Sequence, residues 1–220
     1  MRELELRILH WIACGEDAFQ DGLANFVNDP LFGVPFFVLV VLLLALTKRG
    51  RAQFARTALA IAIAVALGQG VLLAVWNVAP RDRPAKGFTE AQILRGPIDR
   101  RTCAEHPEMW VERGHPPSRP SFPSSHVMFA ACAAGALAFA SRGVAVVVWT
   151  YALLVGWGRL YWGKHWPSDV LGSLALGALF GWVGWRLAGR VVAVISARRA
   201  PPSIGPPPTI EPPPGPTPRG

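Results

Sequence analysis

Charge is scarce in this chain, at 16% Asp, Glu, Lys and Arg against 51% hydrophobic residues over 220 positions. That balance excludes an ordinary soluble domain and marks an integral membrane protein built as one bundle. Cysteine is nearly absent: Cys14, Cys103 and Cys132 have no metal-type spacing, and their odd number leaves at least one unpaired within the chain. A Cys14–Cys103 disulfide is open if both face an oxidising compartment, but free thiols are the expectation. The start of the chain has no basic stretch leading into an uninterrupted apolar core, so no secretory signal is expected. The net charge of +8 would point to nucleic acid in a soluble protein. No basic stripe with interleaved aromatics accompanies it, so no nucleic-acid partner is expected, and cytoplasmic membrane flanks account for much of the charge. The apolar runs also hold few ionisable groups, which disfavours a transporter or channel.

Five apolar runs are present. The first span runs from Pro30 to Thr47 and the second from Thr57 to Val78. A third begins after Ser121-Phe122-Pro123-Ser124-Ser125-His126 and reaches Ala140, a fourth runs from Val144 to Trp157, and a fifth from Val170 to Ala188. Before them, Leu4, Ile8, Trp11, Ile12, Phe19, Leu23, Phe26 and Val27 recur at helical spacing, while Glu16, Asp17 and Asp21 make a span costly. Residues 1–29 therefore read as an interfacial amphipathic helix. The fold class is all-α, a polytopic membrane bundle with that helix and a long loop at 79–122. Lys48, Arg49, Arg51 and Arg56 follow one another without an acid, and Arg186, Arg190, Arg198 and Arg199 end the last span. By the positive-inside rule these are cytoplasmic, the first set as a turn, which leaves the long loop extracytoplasmic.

In that loop Thr89-Glu90-Ala91-Gln92 resembles a capping box, opening a short helix that Gly96-Pro97 would stop. Gly177 and Gly181 make a small-xxx-small face for close packing. Residues 1–199 form the membrane domain, and residues 200–220 a proline-rich tail expected to be disordered or polyproline II.

Three polar segments share the extracytoplasmic face. The first is Pro80-Arg81-Asp82-Arg83-Pro84. In Pro123-Ser124-Ser125-His126 either serine can cap the third span, leaving backbone N–H groups and a hydroxyl for an anion, with His126 placed as acid or base. In Gly158-Arg159-Leu160-Tyr161-Trp162-Gly163-Lys164-His165-Trp166-Pro167-Ser168-Asp169, proline marks a helix start at Trp166 or Pro167. Asp169 then sits in the first turn, where it can hold the imidazole of His165 and make it a better nucleophile. Arg159, at the end of the preceding apolar run, offers a planar fork of donors suited to phosphate oxygens.

In order and spacing these segments resemble the type-2 phosphatidic-acid phosphatase superfamily, whose pattern is Lys, six residues, Arg-Pro; Pro-Ser-Gly-His; and Ser-Arg, five residues, His, three residues, Asp. Arg83-Pro84, Pro123-Ser124-Ser125-His126, and Arg159, His165 and Asp169 match. The departures are Trp76 at the lysine position, Ser125 for Gly, and Gly158 for Ser. The resemblance implies that His165 attacks phosphorus, that Asp169 orients it, and that His126 protonates the leaving oxygen before activating water. Arg83, Arg159, Ser124 and Ser125, with nearby backbone N–H groups, would hold the phosphoryl oxygens, and Arg81, Lys86 or Lys164 would substitute for the missing lysine. No metal or other cofactor is implied. The expected activity is hydrolysis of a lipid phosphate or polyprenyl diphosphate at the extracytoplasmic face of a bacterial inner membrane, with the bilayer and that lipid as the only partners implied. A non-catalytic lipid-phosphate-binding member of the fold is the alternative. A metal site at Cys103, His106 and His115 has irregular spacing and no carboxylate cluster.

Overall fold

The structure is a computed structural model that describes residues 2–14, 18–88, 92–94, 105–106, 110–111 and 119–199. Among these are seven α-helices: α1 (Arg2–Ala13), α2 (Ala18–Asn28), α3 (Pro30–Ala45), α4 (Lys48–Val78), α5 (Ser125–Leu137), α6 (Arg142–Tyr161) and α7 (Pro167–Arg199). A 3-10 turn covers Pro84–Gly87, and Ile93–Leu94 pairs in parallel with Trp110–Val111. The short helix expected after Thr89, and the tail at 200–220, fall outside the described residues or nearly so.

The shortest apolar helix is the centre of the bundle. Helix α5 packs against α4, α6 and α7, and Val127, Met128 and every residue from Ala130 to Leu137 are buried. Its alanines and Gly135 let three helices approach closely, so van der Waals contact replaces the large side chains it lacks. A Cβ on Gly181 would lie 2.5 Å from the carbonyl carbon of Gly135, and one on Gly177 would lie 2.3 Å from Cβ of Ala131. Those two glycines are thus the α7 side of the α5 contact.

Three helices, α4, α6 and α7, are long and apolar enough to cross a membrane, and α2 with α3 makes a fourth if their 65° bend is one broken span. The third expected span is α5, which has only 13 residues and is enclosed by its neighbours. Asp29 stabilises the bend by accepting from Leu31 N–H at 2.8 Å as the cap of α3, while the Tyr151 hydroxyl donates to the freed Val27 carbonyl at 3.0 Å. Leu31, Leu42, Val146, Leu153, Leu171 and Val194 remain exposed around the bundle, as lipid-facing side chains do. The chain is a multi-pass integral membrane protein.

Three readings of the sequence need correction. The acid-free basic cluster is the opening of α4, not a turn, because Thr47 caps the helix by accepting from Gly50 N–H at 2.9 Å. Its arginines nonetheless share an end of the bundle with the arginine-rich close of α7, since the Arg56 guanidinium lies 3.9 Å from the Trp185 ring centroid. Residues 1–29 are also two helices, not one. The apolar stripe of α1 faces outward, with Leu4 63% and Trp11 84% exposed, and its inner face is Glu5, Leu9 and Ala13. Leu9 packs on Trp166, which sets α1 across the end of the bundle opposite the basic one. Cys14 is disulfide-bonded, against the expectation of free thiols, while Cys132 is a free, buried thiol; Cys103 lies outside the described residues.

The α5–α7 contact is directly testable. Gly181→Ala overpacks a backbone crossing and should cost about 1–3 kcal/mol, whereas Gly70→Ala enters open space. Thermal unfolding in detergent should show a lower midpoint for Gly181→Ala and none of that loss for Gly70→Ala; equal midpoints would contradict the packing.

Candidate active site

The nucleophile candidate is set by two helix ends. Gly163 takes a φ of 61° just past α6, a conformation that costs glycine little, and the chain folds back so that Gly163 N–H bonds Leu160 O at 2.8 Å and Lys164 N–H bonds Arg159 O at 3.1 Å. His165 follows, 1% exposed, and α7 begins at Pro167.

A three-residue strap holds the imidazole and the guanidinium beside it through successive backbone carbonyls. Arg119 O accepts from Nε of Arg83 at 2.7 Å and Pro120 O from its Nη2 at 3.2 Å, while Ser121 O lies 2.7 Å from Nδ1 of His165. A carbonyl can only accept, so Nδ1 carries the proton and Nε2 of the neutral ring keeps its lone pair. Nη1 of Arg83 lies 3.3 Å from that Nε2 and also donates to Lys164 O at 2.6 Å. Burial first, then the charges of Arg159 and Arg83, hold the His165 pKa well below its ordinary value. Burial also brings Arg83 down to about 10, which leaves it charged at neutral pH.

Asp169 was expected to hold His165 directly, but the structure inserts Ser121 between them. The carboxylate is 3.9 Å from Nδ1, and its Oδ2 accepts instead from the Ser121 hydroxyl and from Trp166 N–H at 2.9 Å. The Trp166 contact belongs to the first turn of α7, where a carboxylate satisfies an orphan N–H, and it draws the oxygen away from the ring. Asp169 therefore fixes Ser121, and Ser121 fixes His165.

Arg81 is also placed differently from the expectation of a phosphate ligand. Its Nη1 donates to Asp169 Oδ1 and Ser168 Oγ, each at 2.6 Å, and its Nη2 to Glu5 Oε2 at 3.2 Å. Two carboxylates thus take its charge. Lys86, another proposed substitute for the lysine, pairs with Asp82 at 3.0 Å.

The remaining predicted residues converge. Ser124 is the backbone cap of α5, since its carbonyl accepts from Met128 N–H at 2.8 Å, but its hydroxyl makes no cap bond. That fully buried Oγ and Nε of Arg159, whose residue is 7% exposed, have no hydrogen-bond partner. Buried donors without partners are costly, so a ligand that accepts from them fits the site. The charges of Arg159, Lys164 and Arg83 all act on His126, and Ser125 Oγ lies 3.3 Å from Nδ1 of His126. A mainly apolar cleft of about 290 Å³ opens from Ser125 and His126 towards the α2–α3 bend, past Asn28, Gly33, Phe129 and Tyr151. Gly158 is explained by the same bend, because a Cβ there would lie 2.1 Å from the Asn28 amide nitrogen.

Sequence reasoning missed Ser121, Glu5 and Ser173. Ser173 accepts from Ser124 N–H at 2.9 Å and donates to Asp169 O at 2.7 Å, tying α5 to α7. Of the three only Glu5 carries a signal, as an acid inside α1 that continues the four-residue spacing of Leu9 and Ala13.

Comparison with known proteins gives a consistent picture. The PAP2 superfamily profile matches residues 81–193, just over half of the chain. An undecaprenyl-diphosphatase of Bacillus subtilis is 35% identical over 31% of this chain and 35% of its own length. The phosphatidylglycerophosphatase B of the same organism is 35% identical over 32% of this chain and 43% of its own. The matched segments thus span less than half of either relative. A solved transmembrane PAP2 type phosphatidylglycerolphosphate phosphatase from Bacillus subtilis shares the fold, with a TM-score of 0.56 at 19% identity over 86% of this chain and 87% of that one.

The tautomer of His165 has a measurable signature. In nitrogen-15 spectra of the detergent-solubilised protein, its Nδ1 should stay protonated and its Nε2 bare at pH values well below the ~6.5 of a free imidazole. Because the folded ring resists the proton that the unfolded ring accepts, its stability contribution is present above about pH 6.5 and lost as pH falls. An imidazolium signal for His165 at pH 6 would contradict the assignment.

Proposed function

The chain belongs to the PAP2 superfamily, and from that premise we propose that it is a membrane phosphatase hydrolysing a lipid phosphate or polyprenyl diphosphate through a phosphohistidine, without a metal. The observation that carries the reading is the bare Nε2 of a buried, neutral His165 facing a guanidinium, beside unpartnered donors from Ser124 and Arg159.

In the first step the Nε2 lone pair forms a P–N bond while the P–O bond to the lipid breaks. Positive charge then grows on the imidazole, where Ser121 O and the nearby Asp169 carboxylate stabilise it. Arg83, Arg159 and Ser124 receive the oxygens of the transferred group, and phosphoryl transfer asks for little more than this positioning and charge. The leaving oxygen, of an alkoxide from a monoester or of a lipid phosphate from a diphosphate, takes a proton from His126, which a phosphate anion among the surrounding cations helps to protonate. In the second step the same imidazole removes a proton from water, which attacks phosphorus and breaks the P–N bond. The apolar cleft beside His126 suits a lipid tail, and the two relatives' names make undecaprenyl diphosphate and phosphatidylglycerol phosphate the first substrates to assay.

Two features support an extracytoplasmic active site. Helix α1 lies over the His165 end and carries the disulfide-bonded Cys14, and disulfides persist in oxidising compartments. The acid-free basic cluster marks the opposite end. Trp76 at the family's lysine position favours one other reading, a lipid-phosphate binder without turnover, which absence of phosphate release across a lipid panel would identify.

The roles of the histidines separate by leaving group. His126→Ala should lower the first-step rate on a lipid phosphate by roughly 10²- to 10⁴-fold, as for loss of a general acid, and much less on an aryl phosphate whose leaving group needs little protonation. A single-turnover burst of phenolate measures this. Equal losses on both substrates would mean that His126 does not protonate the leaving oxygen.

A further inference from the structure

Counting where the cations at the site are spent leaves one unused besides Arg159, whose unpartnered Nε is already placed as a phosphate donor. Arg83 is held by three backbone carbonyls, Arg81 by Asp169 and Glu5, and Lys86 by Asp82. Arg119 is the exception. Its carbonyl anchors Arg83, but its own exposed guanidinium makes no ion pair among the described residues and lies over Trp76, 5.6 Å from the ring centroid. The indole Nε1 of Trp76 is itself buried with no hydrogen-bond partner, although a buried indole N–H ordinarily finds one.

We infer that Arg119, seated on the face of Trp76, is a ligand for the substrate's phosphate. This rests on the phosphatase reading and extends it to a residue that the motif pattern does not include. Three physical points support it. An aromatic face orients a guanidinium without neutralising it, as a carboxylate would. The Arg119 backbone is fixed to Arg83, which touches the nucleophilic nitrogen, so the side chain starts from a rigid point beside the reaction centre. The fork of donors is then open to a phosphate or diphosphate oxygen, and the orphan indole N–H offers a further neutral donor. Trp76 thus forms a platform for a cation that arrives from the strap, in the position where the family pattern carries its own.

Vanadate binding to the full-length protein in detergent, read by calorimetry, tests this without requiring turnover. Arg119→Gln should weaken vanadate by about tenfold, as expected on losing one charge-assisted hydrogen bond, with Arg119→Lys in between. Returning the charge by Trp76→Lys in the Arg119→Gln background should bring the Kd back to within about threefold of wild type, a recovery that a packing role for Arg119 would not produce. An Arg119→Gln Kd within about twofold of wild type would overturn the inference. So would a weakened Arg119→Gln that neither Arg119→Lys nor Trp76→Lys relieves, or a wild-type chain that binds no vanadate. Phosphate release is assayed separately: a chain that binds vanadate through Arg119 but releases no phosphate from any lipid would refute the phosphatase reading and leave this one standing.

Discussion

The hydrogen bond from His165 Nδ1 to the Ser121 carbonyl, 2.7 Å long, determines which imidazole nitrogen is available, and the rest of the site is arranged to keep it. A side-chain carboxylate in the same place could share or exchange the proton as conditions change. A backbone carbonyl only accepts, and its position is set by the chain on either side. That chain is pinned in turn: Ser121 N–H bonds Arg81 O at 2.8 Å, the Ser121 hydroxyl reaches Asp169, and the two preceding carbonyls hold Arg83. Displacing any one of these contacts would disturb both the bare nitrogen and the guanidinium opposite it. In the proposed reaction Asp169 would act at one remove, as a carboxylate 3.9 Å away that favours the positive charge forming on the ring.

Supporting so rigid a strap is the task of the bundle. Helix α5 brings Ser124 and His126 to the site from one side and α7 brings Asp169 from another, so the distance between these helices sets the width of the proposed phosphate pocket. Glycine and alanine at their crossing leave only backbone-to-backbone separation to define that distance, and Ser173 clamps the two helices again at the site end. From outside the family-matched segment, α1 adds Glu5, which accepts from Ser168 N–H at 3.1 Å and from Arg81 at 3.2 Å. Arg81 is thereby divided between two acids and cannot wholly cancel the charge of Asp169.

Much of this was legible in the residues. Apolar runs identify helices because hydrophobic periodicity is local, and Pro167 marks the start of α7 because proline suits the first turn. The order and spacing of Arg83, Ser124, His126, Arg159, His165 and Asp169 carried the family. What escaped is non-local. Nothing near Ser121 in the chain announces a bond to an imidazole 44 positions away, and the proximity of Asp169 to His165 in sequence pointed to a direct contact that the first turn of α7 diverts. Helix α1 was misread because its more numerous apolar residues face lipid or solvent, leaving Glu5 on the buried side. Trp76 looked like a lost cation, and only the path of the strap shows Arg119 arriving above it.

The most direct test is to trap the covalent intermediate. Full-length protein mixed with a radiolabelled lipid phosphate and quenched in base should retain label that is stable to base, lost in acid, and confined to the peptide containing His165. His126→Ala should accumulate it and His165→Gln should show none. Label on a carboxylate or hydroxyl side chain, or undiminished turnover by His165→Gln, would contradict the assignment of His165 Nε2 as the nucleophile.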